Sequence, residues 1–189
     1  MLNLLIVESG IDNTALENAL ADDNVETVKV QYAPSFIAQV KDMRPDAIIF
    51  NLETPSDELL ADLFMLNRQC PLPVIMFATD GSSATIHKAM QAEVSAFEVN
   101  GLDADRLHGI IHVALARFKH QQVLKNALQE ARTQLEDRKQ IDRAKAILIN
   151  TQNFTENEAY HTLRKLAMDR NITLGQMARN VIAMAELLK

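Results

Sequence analysis

Polar side chains stand at the ends of two apolar runs in the first third of the chain, Glu8 and Ser9 after one run and Asn51 at the end of the other. Flavodoxin-like sheets place their sites at the carboxyl ends of parallel strands, and in some proteins an aspartate there does chemistry. Magnesium binds clustered anionic oxygens, and Glu8 alone offers one carboxylate. The carboxamide of Asn51 cannot form an acyl phosphate, so these runs predict a strand-end pocket without phosphoryl chemistry.

Other arrangements that carry catalysis or bind metals are weak in this sequence. His108 and His112 have the i, i+4 spacing that can bind a metal, but no carboxylate or cysteine completes an HExxH pattern, and we interpret them as partly exposed helix residues. The sequence has no GxGxxG, P-loop or GxSxG motif, and only five glycines. We expect no catalytic residue, no metal and no cofactor, which argues against a flavodoxin-like enzyme as a third alternative.

The composition is that of an ordinary globular protein, with 189 residues, 48% of them hydrophobic and 23% charged. Spanning a bilayer takes roughly 20 consecutive apolar residues, and no run in the sequence approaches that length. The first residues lack a basic flank, so we expect no signal peptide. The single cysteine, Cys70, excludes an internal disulfide framework. These features predict a cytoplasmic protein without a membrane partner.

Charge is distributed unevenly along the chain. The net charge of −6 combines −10 for residues 1–118 with +2 for residues 119–134 and +2 for residues 135–189. A polyanion repels the acidic front half, whereas the mildly basic rear half can approach one. The division predicts a folded domain at 1–118, a coiled-coil linker helix at 119–134 and a second folded domain at 135–189.

Five short apolar runs alternate with helical patterns in the front domain. We expect strands at 2–7, 26–31, 46–51, 72–78 and 95–99, with helices at 13–22, 34–43, 57–68, 83–92 and from 103 onward. Near-continuous apolar strands joined by helices indicate a parallel sheet that is covered on both faces. Five such units are typical of a flavodoxin-like, doubly wound α/β domain.

One helical stripe continues from Asp103 to Asn150, where the sequence has no proline and no glycine after Gly109. Its apolar residues recur at spacings of three and four, and those in the middle are Leu124, Leu128, Ala131 and Leu135. Such a stripe must be covered somewhere, so we interpret its middle as a two-stranded coiled coil that forms a homodimer. The alternative is a long helix that folds back on its own sheet.

Two helix starts are marked near the end of the chain. Thr155 with Glu158, and Thr173 with Gln176, each form a capping-box pattern. These starts predict helices at 156–169 and 174–188, which complete a three-helix bundle with the end of the long helix. The residues that we expect to be buried are Ala159, Tyr160, Leu163, Leu166 and Ala167 in the first helix and Met177, Ala178, Val181, Ile182, Ala185 and Leu188 in the second.

The front domain resembles a response-regulator receiver domain in its fold and its loop positions. In that family two acids bind Mg²⁺, an aspartate accepts phosphate, and a Ser/Thr and a lysine read out the modification. The corresponding positions here are Glu8 and Ser9, Asn51, Ala78 and Asn100. The resemblance implies a pseudo-receiver with a degenerate phosphoreceiver pocket, because one acid of two remains and the other groups are replaced.

The rear domain resembles an ANTAR domain, the RNA-binding module of transcription antiterminators. The matching residues cover the whole module and are Arg138, Ile141, Ala144, Lys145, Leu148, Glu158, Ala159, Tyr160, Leu163, Arg164, Met168, Asn171, Leu174, Ala178 and Val181. One departure is Ala146, where the family often has glycine, and alanine favours the helix. Together with the pseudo-receiver, the chain resembles the NasT group of antiterminators.

That resemblance implies control of nitrate and nitrite assimilation genes through leader RNA with paired hairpins. It also implies a ligand-binding, nitrate-sensor-like protein partner that controls the regulator in place of aspartyl phosphorylation. One ANTAR domain or two could engage the hairpin pair. A DNA-binding response regulator is the main alternative, although the last helix exposes mainly Arg179 and Asn180.

Basic residues of the rear domain are the candidates for RNA contact. Lysine and arginine bind phosphates, and arginine planes and aromatic rings stack on splayed loop bases. We expect one basic surface, whose members are Arg138, Arg143, Lys145, Arg164, Lys165 and Arg170.

Overall fold

The computed structural model describes residues 1–9, 11, 13–21, 24–99 and 104–187, apart from the side chain of Ala104. The chain divides into two compact units, Met1–Gln122 and Val123–Lys189. The boundaries at 118 and 134 that the charge distribution suggests stay a prediction.

Parallel strands and helices alternate in the first unit. The strands are β1 (Leu2–Glu8), β2 (Val25–Gln31), β3 (Ala47–Leu52), β4 (Val74–Ala78) and β5 (Ala96–Val99), and the helices are α1 (Thr14–Leu20), α2 (Phe36–Met43), α3 (Asp57–Gln69), α4 (Ser83–Gln91) and the start of α5 (Ala104–Gln152). The strands form one sheet in the order β2-β1-β3-β4-β5. Because this is the order of flavodoxin-like doubly wound sheets, the predicted α/β fold is confirmed.

Both faces of the sheet are covered, which explains why β3 is buried from end to end. Successive strand residues point to opposite faces. Phe50 packs with α2 and α3 in one core, where its ring meets that of Phe36 edge-on at 5.9 Å. Ile49 packs in the other core, which contains Leu16 of α1 and Leu107 of α5. A strand with no polar face is therefore a consequence of its central position in the sheet.

The residues of the first turn mark where a helix begins more accurately than the apolar pattern does. The helix expected at 34–43 begins at Phe36, because Pro34 and Ser35 form a turn before it. The Ser56 and Ser82 hydroxyls accept hydrogen bonds from the backbone N–H groups of Leu59 and Thr85, which begins α3 and α4. The other strands and helices of the front unit begin and end within two residues of the predicted bounds.

The second unit is a three-helix bundle of the last part of α5 with α6 (Glu156–Asp169) and α7 (Leu174–Leu187). The capping box of Thr155 and Glu158 is present, and the reciprocal bonds between Thr173 and Gln176 are 3.1 Å each. Asn171, at a φ of 52°, ends α6, and the N–H of Ile172 returns to the Ala167 carbonyl at 3.0 Å. The predicted bundle is therefore confirmed, with local signals at its helix ends.

The prediction that Tyr160 is buried was wrong. Ala159, Leu163 and Ala167 form the buried row of α6, and Tyr160 lies next to that row with 39% of its surface exposed. Of the other residues expected in this core, Leu166, Val181 and Ala185 are half-buried, and Leu188 lies outside the described residues.

The middle of α5 does not fold back on the sheet. Every residue from 123 to 136 is exposed, including Leu124, Leu128 and Leu135, whose side chains are each more than half exposed. The long helix is thereby confirmed, whereas its pairing as a coiled coil stays a prediction. Among the described helices, none has both the length and the apolar character required to cross a bilayer.

Asp137 joins α5 to the start of α7. Its carboxylate forms an ion pair with the Arg179 guanidinium at 2.5 Å, and it occupies the space where a side chain on Gly175 would lie. Glycine at this buried position lets the two helices approach closely. A Cβ atom there would collide with the Asp137 carboxylate.

Two Gly→Ala substitutions should therefore have opposite effects. We expect Gly175→Ala to destabilise the bundle by about 1–3 kcal/mol, because it displaces Asp137. Gly109→Ala in α5 should stabilise its helix by up to about 1 kcal/mol, since a Cβ there meets nothing within 4 Å. Amide hydrogen exchange of the full chain measures both changes in stability. Exchange in α7 reports on Gly175→Ala, and exchange in α5 reports on Gly109→Ala. Slower exchange of α7 in Gly175→Ala would contradict the assigned close approach.

Candidate nucleic-acid interface and degenerate receiver pocket

A cavity of 590 Å³ opens where β1 and β3 end. Glu8 and Ser9 line it from the first strand, and Glu53, Thr54 and Ser56 line it from the loop before α3. The Ser9 hydroxyl donates a hydrogen bond to the backbone carbonyl of Asn51, which links the two strand ends. Glu53 was not among the predicted pocket residues, although its place two residues after Asn51 could have suggested it.

Asn51 is nearly buried, and its side chain is hydrogen-bonded within the protein. Its Nδ2 atom donates to the Oδ1 atom of Asn13, just before α1, at 2.9 Å. Two neutral amides thus satisfy each other where a phosphorylatable site needs an ionised carboxylate. A carboxamide has no anionic oxygen to attack a phosphoryl donor, so Asn51 serves as a link between β3 and α1.

The remaining predicted pocket residues do not join this group. Ala78 is fully buried and pairs in register with Leu52, whereas Asn51 pairs with Phe77. Neighbouring residues of a strand face opposite sides, so Ala78 packs in the core on the α3 side of the sheet. Asn100 lies outside the described residues. The structure therefore places Glu8 and Ser9 on one cavity and joins Ser9 to the backbone of Asn51.

Hydrogen bonds hold the loop after β4 in place. The backbone N–H groups of Thr79 and Asp80 donate to the Glu53 carbonyl at 3.1 and 2.9 Å. The Asp80 carboxylate accepts from the Thr85 hydroxyl at 2.6 Å and the Ser82 N–H at 2.8 Å, and these bonds lower the pKa of Asp80, the Thr85 bond most. Hydrogen bonds within the protein therefore fix the conformation of this loop.

Two of the predicted RNA-contact residues are engaged in ion pairs. The Arg143 guanidinium contacts Glu186 of α7 at 2.7 Å, with both side chains more than half exposed. The Lys145 ammonium contacts Asp142 at 2.8 Å and Glu156 at 2.9 Å. The hydrogen bonds that Lys145 donates to Asp142 and Glu156, the Asp142 bond first, raise the pKa of Lys145. An incoming phosphate would have to displace these carboxylates.

The other four candidates are exposed and form no ion pair with any described residue. They are Arg138, Arg164, Lys165 and Arg170. Three of them follow one another along α6 and its end, so the free cations concentrate on that helix. The predicted basic surface as an RNA site stays a prediction, and its members differ in how available they are.

The sequence analysis did not identify the carboxylates that pair with Arg143 and Lys145. The i, i+3 spacing of Asp142 and Lys145 is a local signal that could have revealed one pair. Glu156 and Glu186 reach their partners across helices, and no local pattern marks them. Among the described residues, no group of three or more His, Cys, Asp or Glu side chains could hold a metal ion.

Comparison with known proteins identifies the rear module. Residues 129–182 match the model of the ANTAR domain. The transcriptional regulatory protein PdtaR of Mycobacterium tuberculosis is 24% identical over 139 residues, which cover 74% of this chain and 68% of PdtaR. The nitrate regulatory protein of Klebsiella oxytoca is 36% identical over 66 residues, which cover 35% of this chain and 17% of that protein. The rear part of the chain thus matches the ANTAR domain, and the chain is similar to two regulatory proteins.

A solved structure supports the fold of the front unit. The signal receiver domain of a modulated diguanylate cyclase from Desulfovibrio desulfuricans G20 superposes with a TM-score of 0.53 at 22% identity, covering 63% of this chain and 97% of that domain. The receiver-type fold expected from the sequence is thereby confirmed. At this identity the likeness concerns the fold alone.

The pocket geometry predicts that the front unit does not accept phosphate. Incubation of the full chain with acetyl phosphate and Mg²⁺ should leave its intact mass unchanged, because Asn51 offers no nucleophilic carboxylate. Asn51→Ala provides the matched control, and a receiver domain with an intact aspartate provides the positive one. A stable phosphoryl adduct on the wild type that disappears in Asn51→Ala would contradict the assignment.

Proposed function

We propose that this chain, in which an ANTAR domain follows a receiver-type α/β fold, is a cytoplasmic RNA-binding transcription antiterminator. The match of residues 129–182 to the ANTAR domain is the observation that carries the proposal. As the resemblance implies, the bundle binds a leader-RNA hairpin and so prevents a terminator from forming.

The charge arrangement supports a nucleic-acid ligand. Arg164, Lys165 and Arg170 are exposed and unpaired within the described chain, so they can bind phosphates without breaking an ion pair. Residues 1–118 carry a net charge of −10 and would be repelled by the same ligand. The proposed contact surface therefore lies on the bundle, with α6 as its centre.

The ion pair of Arg179 favours RNA over the alternative of duplex DNA. A recognition helix needs free side chains to reach base edges in the major groove. Arg179, the main cation on α7, is bound to Asp137 at 2.5 Å instead. Short RNA loops offer unstacked bases that side chains of an exposed helix can reach.

Control by a protein partner is the second part of the proposal. Asn51 stands in place of the phosphorylated aspartate of receiver domains, which favours a signal other than phosphorylation at the front unit. The similarity to the nitrate regulatory protein supports nitrate or nitrite assimilation genes as the target. The resemblance to the NasT group implies a ligand-binding, nitrate-sensor-like partner. The acetyl phosphate experiment above tests the premise that aspartyl phosphorylation does not provide this control.

Dimerisation through the middle of α5 is the third part. Leu124, Leu128, Ala131 and Leu135 repeat at spacings of four, three and four, as in the seam of a coiled coil. In the single chain they are exposed, and water-exposed leucines in a regular row favour pairing with a second copy. Such a dimer would carry two bundles for a pair of hairpins.

Arg164→Ala should weaken RNA binding. We would select a binder for the wild type from a pool of two-hairpin RNAs with randomised loops, and compare it with duplex DNA of the same sequence by gel shift. Loss of one phosphate contact should lower the slope of log affinity against log salt by about 0.7.

Lys41→Ala is the matched control, because it removes an exposed lysine from the first unit. It should leave the salt slope unchanged. Equal affinity of the wild type for the selected RNA and the duplex DNA would overturn the proposed function. An unchanged salt slope in Arg164→Ala would remove Arg164 from the site.

Leu128→Glu should convert a dimer into a monomer, because it places repelling charges in the proposed seam. Sedimentation equilibrium of the full chain measures the mass. Asn126→Glu adds the same charge to the same stretch of helix but off the seam, and it should leave the dimer intact. A wild type that sediments as a monomer at all concentrations would contradict pairing through α5.

A further inference from the structure

Tyr160 is an aromatic side chain on the outer surface of the bundle. Although Ala159 beside it is fully buried, Tyr160 is 39% exposed. Its ring meets that of His161 edge-on, with centroids 6.1 Å apart and planes at 67°. A partly packed ring has a restricted orientation, and it still offers apolar surface to a ligand.

The neighbours of Tyr160 on the same side of α6 are exposed as well. Arg164 and Met168 follow at i+4 and i+8, which places the three side chains in one row along the helix. Met168 is 71% exposed, and Arg164 forms no ion pair with a described residue. The row therefore combines an aromatic ring, a free guanidinium and a flexible apolar side chain.

Lys145 is less available than this row. Its side chain is only 17% exposed and contacts two carboxylates, whose combined negative charge exceeds the single positive charge of the lysine. The first contact of a polyanion with the bundle is therefore easier at Arg164 than at Lys145. The motif gives the two residues equal weight, and their surroundings in the structure separate them.

We propose that the row of Tyr160, Arg164 and Met168 is a base-reading surface, in which the Tyr160 ring stacks on an unpaired nucleobase of an RNA loop. Arg164 binds the phosphate next to that base, and Met168 covers the far side of the loop. The inference rests on the proposed RNA-binding function and adds the chemical group that is recognised. Duplex regions keep their bases stacked inside the helix, so the ligand is a loop base.

The experiment uses the full chain and the two-hairpin RNA selected by the wild type. Tyr160→Ala should raise the Kd about 5- to 150-fold, the range expected when one stacked aromatic ring is removed. Tyr160→Phe keeps the ring and should bind like the wild type. Met184→Ala on α7, where Met184 is 60% exposed, is the control for loss of an exposed side chain and should leave the Kd unchanged.

Abasic substitution of each loop nucleotide identifies the stacked base. At one position the missing base should weaken the wild type, yet have little further effect on Tyr160→Ala, because both changes remove the same contact. If Tyr160→Ala proves unstable by circular dichroism, Tyr160→Leu replaces it in this comparison with the abasic RNAs. Leucine keeps apolar volume but has no ring that can stack.

Two results would overturn the inference while the proposed function stands. One is an unchanged Kd in the folded Tyr160→Ala or Tyr160→Leu chain, which would leave the row as a protein-binding or solvent-facing surface. The other is an additive loss at every abasic position, which would mean that Tyr160 acts only through the fold. A wild type that prefers no RNA over duplex DNA would instead overturn the proposed function itself.

Discussion

Unbroken helical hydrogen bonding from Ala104 to Gln152 is the constraint on which both units depend. The start of α5 supplies Leu107, Ile111 and Ala114 to one core of the α/β unit, and its end supplies Ala144 to the core of the bundle. Neither core is complete without this helix. The residues from 123 to 136 between them are all exposed, so the same helix is packed at its ends and exposed in its middle.

Electrostatics inside the bundle decide which of its cations face solvent unpaired. Asp137, Asp142 and Glu186 each bind a basic side chain, and the partners include residues on two different helices. The formal charge of the module therefore overstates the positive potential that a ligand meets. The exposed residues Arg138, Arg164, Lys165 and Arg170 are exceptions, and Arg164 lies one helical turn after Tyr160.

Local physics made much of the fold predictable. Alternating apolar runs specify a covered parallel sheet, and the hydroxyl of Thr155 with the carboxylate of Glu158 specifies where α6 begins. What could not be predicted depends on contacts between distant residues. The ion pair of Asp137 with Arg179 spans 42 positions, and the exposure of Tyr160 depends on how the three helices of the bundle pack together. The bond between Asn51 and Asn13 is likewise invisible in a pattern of single residues.

The amide at position 51 also changes how long a signal can last. An acyl phosphate hydrolyses at its own rate, and in a phosphorylated receiver this rate limits how long the signal lasts. The Asn51–Asn13 pair contains no bond of that kind. For a chain that is controlled by association, the duration of the response equals the residence time of its complex, and that time is set by the dissociation rate. Evolutionary changes in the duration of the response would then be substitutions on a contact surface, and the strand-end pocket would stay unchanged.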